Sequence, residues 1–207
     1  MSIIPAGQYV IFAYAGAPPR ESPLDGKMQP EAVHETETLK GTDTPRIYWE
    51  VSCFLKERCT HEGDTLHDSP VWEKRISQNS PSLPPSFLFI PLAETLFIGC
   101  EEGLFVIDVP SGKVIFETEL FAPFFRFYQF QEKVFNFELI IALCELELYA
   151  FDIFGNLKWE ANFPDVLNSL RQKEEILELT DLSGSVYSLD ILSGQPLQRE
   201  QSLPATF

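Results

Sequence analysis

Apolar residues along this chain come in short blocks rich in Val, Ile, Leu, Phe and Tyr, divided by glycine, proline and charged residues, a pattern that predicts strands joined by turns. "QYVIFAYAG" (8–16), "RIYWEVSCFL" (46–55), "FLFIPLAETLFIGC" (87–100) and "FELIIALC" (137–144) are such blocks. One segment carries a competing signal. In "DVLNSLRQKEEILEL" (165–179), Asp165 has the side chain to cap a helix, and Val166, Leu167, Leu170 and Leu177 partly fit a helical stripe. A charged Arg-Gln-Lys-Glu-Glu tip between two short strands fits its surroundings better, so a hairpin is predicted there. The chain is expected to be all-β.

Three stretches repeat one another: "GLFVIDVPSGKVIFETEL" (103–120), "ELYAFDIFGNLKWEANF" (147–163) and "GSVYSLDILSGQPLQREQSL" (184–203). Each has an apolar run, an aspartate (Asp108, Asp152, Asp190), a turn with glycine (Gly112, Gly155, Gly194) and a second run. Four residues after the glycine stand Phe116, Trp159 and Gln198. The aspartates lie 44 and 38 residues apart, close to the period of about 40 to 50 expected of propeller blades. Each copy reads as a hairpin with more strand material upstream, about four strands per copy, which is the content of one blade. A lone blade leaves both faces bare, so neighbours must cover them. The aspartates, recurring at the same turn, are expected to make it by accepting backbone N–H bonds. Phe116 and Trp159 are expected to pack between blades.

"YAFDIFGNLKWE" resembles the pyrroloquinoline-quinone-like propeller repeat, whose signature runs roughly Ala-x-Asp-x-x-Thr-Gly-x-x-x-Trp. Ala150, Asp152, Gly155 and Trp159 carry the resemblance, with one residue fewer between Asp and Gly. Asp108, Ser111, Gly112 and Phe116 repeat it, as do Asp190, Ser193 and Gly194 without the aromatic. The resemblance covers about half the chain and implies a β-propeller whose tryptophans dock on neighbouring blades. Members usually have more blades than this chain can supply. The expected architecture is therefore a small or incomplete propeller-like array of three to four four-stranded repeats: a very small ring, an open arc, or an arc completed by another chain. The redox function of quinone-binding members is not carried over, because they have a vicinal cysteine pair and this chain has no adjacent cysteines. No cofactor is expected.

Two regions follow from these patterns. Residues 87–207 hold three propeller-like repeats, about 87–120, 121–163 and 164–203. Residues 1–86 hold strands at 8–16 and 46–55, and the Pro/Ser spacer "NSPSLPPS" (79–86) closes the region. Between the strands, 17–45 is rich in Pro, Glu and Thr and reads as a long mobile loop. A fourth, degenerate blade is possible here: "RIYWEVSCF" and "SPVWEKRI" would form its hairpin, with Trp72-Glu73 matching Trp159-Glu160.

Charge narrows the function. With 31 acidic against 15 basic residues the chain carries a formal charge of −16. Nineteen acidic and seven basic residues fall between Glu94 and Phe207. Such a surface repels nucleic acid. Sheet packing is expected to push Glu101, Glu102, Glu117, Glu119, Glu145, Glu147, Glu174 and Glu175 to edges, loops or solvent faces, some forming a negative face for a basic protein partner. The pairs Glu101, Glu102 and Glu174, Glu175 are the candidate partner-binding residues. No run approaches the roughly 18 apolar residues of a membrane span, and the N-terminus does not read as a secretory signal. With four sparse cysteines, two of them inside apolar runs, buried thiols in a cytoplasmic protein are expected.

Catalytic chemistry finds few residues to use. The three histidines, His34, His61 and His67, lie in polar stretches, and neither Gly-x-Ser-x-Gly nor a phosphate-binding glycine loop occurs. "CFLKERCTHEGDTLH" offers Cys53, Cys59, His61 and His67 as zinc donors, but the five-residue gap between the cysteines is irregular for a structural site. The reading is a non-catalytic acidic protein-binding module, of immunity or adaptor type. The alternative is a small-molecule hydrolase with a metal-dependent acidic pocket in the same scaffold. The oligomeric state is left open.

Overall fold

The computed structural model describes residues 2–16, 37–39, 47–55, 70–78, 84–132 and 137–197. Among them there is no helix, only strands, turns and connectors. The first sheet contains β1 (Ser2–Ala6), β2 (Tyr9–Gly16), β3 (Glu37–Leu39), β4 (Ile47–Leu55) and β5 (Trp72–Gln78), in the order β1-β2-β4-β5-β3. The second runs β6 (Ser86–Ile90), β7 (Thr95–Cys100), β8 (Gly103–Asp108), β9 (Val114–Glu119) in chain order, and the third β10 (Phe124–Glu132), β11 (Phe137–Cys144), β12 (Glu147–Asp152), β13 (Leu157–Asn162). The fourth has three strands, β14 (Leu167–Lys173), β15 (Ile176–Asp181) and β16 (Val186–Asp190). All pairings are antiparallel except β3 with β5. The segment 165–179 is a hairpin. Its tip is only Glu174 and Glu175, because Arg171, Gln172 and Lys173 continue β14. The remainder of the expected 17–45 loop lies outside the described residues, but 37–39 is a strand.

Three cores separate the four sheets. In β7, Leu96, Ile98 and Cys100 belong to the core shared with the first sheet, while Phe97 belongs to the core shared with the third. In β8, Phe105 and Ile107 face the first sheet, Leu104 and Val106 the third. The third sheet divides likewise, with Ile140, Ala142, Tyr149 and Phe151 on one side and Leu139, Ile141, Leu148 and Ala150 on the other. Successive side chains of a strand point to opposite faces. A sheet covered on both faces therefore needs an uninterrupted apolar run, which is why "TLFIGC" and "LIIALC" show no polar alternation.

The last sheet differs. Leu170, Leu177, Leu179 and Leu189 pack against the third sheet. Its other face carries Ser169, Arg171, Lys173, Glu178, Thr180 and Ser188 together with the exposed Ile176 and Val186, and Lys173 Nζ lies 2.6 Å from Glu178 Oε2. Terminal repeats of a stacked array need a largely polar outer face. Together the described strands form an all-β, propeller-like array of four sheets, and among the described residues no core joins the fourth sheet to the first.

Candidate functional site

The repeat residues occupy the blade junctions and turns. Trp72, 7% exposed, donates its indole N–H to the Val109 carbonyl at 2.6 Å. Trp159, 8% exposed, donates to the Ile191 carbonyl at 3.0 Å. Both carbonyls belong to the residue after a repeat aspartate, Asp108 or Asp190. Each indole also lies against that turn's glycine, Gly112 under Trp72 and Gly194 under Trp159. Phe116 fills the middle junction, its ring 4.9 Å from Phe151 and 6.5 Å from Tyr149. Trp72 and Trp159 thus hold equivalent places at their two junctions. Gly155 sits against Val106 instead.

The aspartates close their turns. Asp108 accepts from Ser111 N–H at 3.0 Å and from the Ser111 hydroxyl; Asp190 accepts from Ser193 N–H at 2.8 Å and its hydroxyl at 2.6 Å. Asp152 accepts from the N–H groups of Phe154 and Asn156, both at 3.0 Å, and pairs with Lys158 at 2.8 Å. A fourth such aspartate, unmarked by the repeat, is Asp181, which accepts from Ser183, Ser185 and Tyr187. Partial burial of the Asp152 carboxyl works against its charge, yet the bonds from Lys158 and Asn156 hold its pKa below the usual range. The Ser193 hydroxyl does the same for Asp190.

These depressed values fix a pH dependence. A carboxylate whose folded pKa lies below its unfolded value stabilises the fold fully above the unfolded pKa of about 3.9, and the contribution fades as pH falls through the folded pKa. The double variant Asp152→Asn, Asp190→Asn is expected to melt about 2 to 4 °C below the parent at pH 7, the shift made by ~1 kcal/mol in a domain of this size. The gap should start to narrow below about pH 4 and close only below the depressed folded pKa values, where the parent's own carboxyls take up protons. Melting curves from pH 7 to 3 check this.

The acidic residues divide between the two ends of the strands. The turns β7–β8 and β11–β12 lie at one end with the connectors between sheets: Leu120 N–H donates to Glu102 O at 2.9 Å, Phe124 N–H to Glu101 O at 3.1 Å, Glu145 N–H to Pro123 O at 2.8 Å, and Leu167 N–H to Glu145 O at 2.8 Å. Leu182, in the β15–β16 turn, joins this end through Val166 O. At the opposite end lie the repeat-aspartate turns, with Glu94 bonded to Val109 and Glu175 to Ile191 through their carbonyls. The two predicted glutamate pairs therefore do not share a face. Glu101 and Glu102 are at the connector end. Glu174 and Glu175 stand at the other, beside Lys173 and in the company of Lys113 and Lys158 at their strand ends and turns.

At the connector end the described turn residues include Glu101, Glu102, Glu145 and Asp165 and no Lys, Arg or His. Glu119 ends β9 there, exposed, and Glu117 lies further along the same outer strand. Glu147 departs from the expectation of a surface carboxylate. It is buried, because its Oε2 accepts the Phe121 N–H at 3.1 Å and its Oε1 the Tyr149 hydroxyl at 3.3 Å. Burial raises the Tyr149 pKa, with the nearby Glu147 charge adding to it.

Of the zinc candidates, Cys53 is buried in β4 on the face packed against the second sheet; Cys59, His61 and His67 lie outside the described residues. Among the described residues no three His, Cys, Asp or Glu side chains converge to hold a metal. Cys100 and Cys144 are buried thiols, and burial pushes Cys100 up to about 12 against the opposing bonds at Glu102 and Gly103. No helix of the described chain is long and apolar enough to cross a membrane.

No protein-family model matches the sequence, and no curated protein matches it in sequence. In structure the chain is similar to the computationally designed protein Ika8, with 11% identity over 73% of this chain and 45% of that one and a TM-score of 0.43. It is similar also to BamB from Moraxella catarrhalis, with 14% identity, 95% and 47% coverage and a TM-score of 0.41. A third is BBS1N, with 12% identity, 70% and 43% coverage and a TM-score of 0.40. The matched chain spans less than half the length of each of these three. Its own sheets and cores are what make it propeller-like.

Proposed function

We propose that this is a non-catalytic acidic protein-binding module of the cytoplasm, of immunity or adaptor type, whose blades are degenerate pyrroloquinoline-quinone-like repeats and whose connector end engages a basic protein. The repeat assignment is supported by the Asp-turn, Gly and Trp arrangement recurring at two junctions. The observation that carries the function is the connector end itself, where Glu101, Glu102, Glu145 and Asp165 share turns that hold no described basic residue. Unscreened attraction across a Debye length of about 10 Å at 0.1 M ionic strength would steer a basic partner to that end.

Because the two glutamate pairs lie at opposite ends, one controls for the other. Glu101→Lys, Glu102→Lys and Glu174→Lys, Glu175→Lys change the net charge equally, so any difference between them is local. Affinity capture from host extract by the parent and both variants, followed by stopped-flow association of the captured partner between 50 and 500 mM salt, tests the reading. A basic protein retained by the parent and the 174/175 variant but lost from the 101/102 variant, with an on-rate that falls as salt rises, is expected. Equal retention by both variants with a flat salt dependence would reduce the acidic surface to a solubility device.

A further inference from the structure

The connector from β9 to β10, residues 120–123, holds the most exposed large apolar side chain of the described protein. Phe121 is 85% exposed, while Leu120, Ala122 and Phe124 around it are buried. An exposed ring in a loose linker would mean little. This linker is held on both sides of Ala122: Leu120, Phe124 and Pro123 are bonded to Glu102, Glu101 and Glu145 through backbone groups, and the Phe121 N–H itself donates to the buried Glu147 carboxylate. Tyr149 fixes the other oxygen of that carboxylate. The backbone under the ring is thus set before any partner arrives, which lowers the ordering cost of binding. Leu182, 65% exposed, stands at the same end of the last sheet.

Aromatic side chains dominate interface energetics when they seat in a desolvated pocket ringed by polar contacts. The residues bonded to this linker through their backbones, Glu101, Glu102 and Glu145, are all acidic and only partly buried. Building on the acidic-end reading above, we infer that Phe121 is the apolar anchor of the interface. It fits a protein surface with an apolar pocket flanked by Lys or Arg, and Glu147 is the positioning residue that holds it. Charge complementarity selects the basic partner over a second copy of this chain, which would bring like charge to like.

Two synthetic peptides of equal length and charge test this, one of Lys and Leu and one with every Leu replaced by Ser, titrated against the folded protein by calorimetry at low and physiological salt. The parent is expected to bind the Leu peptide at least ~10-fold more tightly. Phe121→Ser should remove that preference and leave the Ser peptide's affinity unchanged. Glu147→Ala should weaken the preference and speed exchange of the Phe121 amide, and Glu147→Gln, which keeps an acceptor oxygen, should restore both. A Leu preference that survives Phe121→Ser, or none in the parent, overturns the anchor while leaving the acidic end intact. Binding of neither peptide, or binding indifferent to salt and to Glu101→Lys, Glu102→Lys, overturns the acidic-end reading beneath it.

Discussion

Trp159→Ala is expected to loosen the fourth sheet from the third and to cost about 3 to 5 kcal/mol, the range for truncating a buried Trp. The ring is the one aromatic among the buried residues of the core between these sheets, with Tyr128, Phe130, Phe163 and Tyr187 packed against that core, and its N–H occupies the Ile191 carbonyl. In a stacked array each repeat contacts only its neighbours, so the damage should stay local. Amides of residues 167–190 should lose protection against hydrogen exchange while those of 95–108 keep theirs, and the melting transition should broaden or split. Trp159→Phe separates the two contributions: it keeps most of the ring and forfeits about 1 kcal/mol for the hydrogen bond. Uniform loss of protection along the chain would mean that the blades unfold as one unit. A melting temperature unchanged by Trp159→Ala would remove Trp159 from the junction altogether.

The junctions were legible because they demand particular chemistry. An aspartate that must bond turn amides, a glycine that must let an indole approach, and an aromatic four residues on leave a spacing that survives poor overall similarity. Even the two-residue match of Trp72-Glu73 to Trp159-Glu160 identifies equivalent positions, since Val109 and Ile191 receive the same indole bond. Where the demand is weaker the signal fades. Glu37–Leu39 has no apolar period, and only its pairing with Lys74–Ile76 of β5 makes it a strand. The largely polar outward face of the fourth sheet is recognisable only once the register of β14 to β16 says which residues point inward.

The site was legible in charge but not in place. Composition reveals an acidic protein; it does not say which carboxylates meet. Counting turns along each blade would have placed Glu101, Glu102 and Glu174, Glu175 at opposite ends, because successive turns of an antiparallel sheet alternate ends. Nothing in the sequence distinguishes Glu147 from its neighbours, since its burial depends on the Phe121 amide 26 residues away. Phe121 itself hides in "LFAPFF", where Phe121 and Phe125 are exposed and Phe124 between them is buried.

Gly112→Ala is expected to be nearly as damaging as loss of the indole it touches. Gly112 has φ of +69°, a left-handed conformation that costs an L-residue roughly 1 to 2 kcal/mol. A Cβ there would also lie 2.6 Å from Trp72 Cγ, and that indole cannot retreat without breaking its bond to Val109 O. Overpacking of a filled site adds about 1 to 3 kcal/mol. Gly184→Ala supplies the control, because Gly184 has φ of +87° but a Cβ there meets nothing within 4 Å. It should incur the backbone cost alone. Denaturant titration of both variants, with Trp fluorescence as the probe, should place Gly112→Ala below Gly184→Ala by the overpacking cost and should shift the Trp72 emission only in the former. Equal destabilisation would show that the turn yields without disturbing the indole, and that the glycine is there for its backbone conformation rather than to admit the ring.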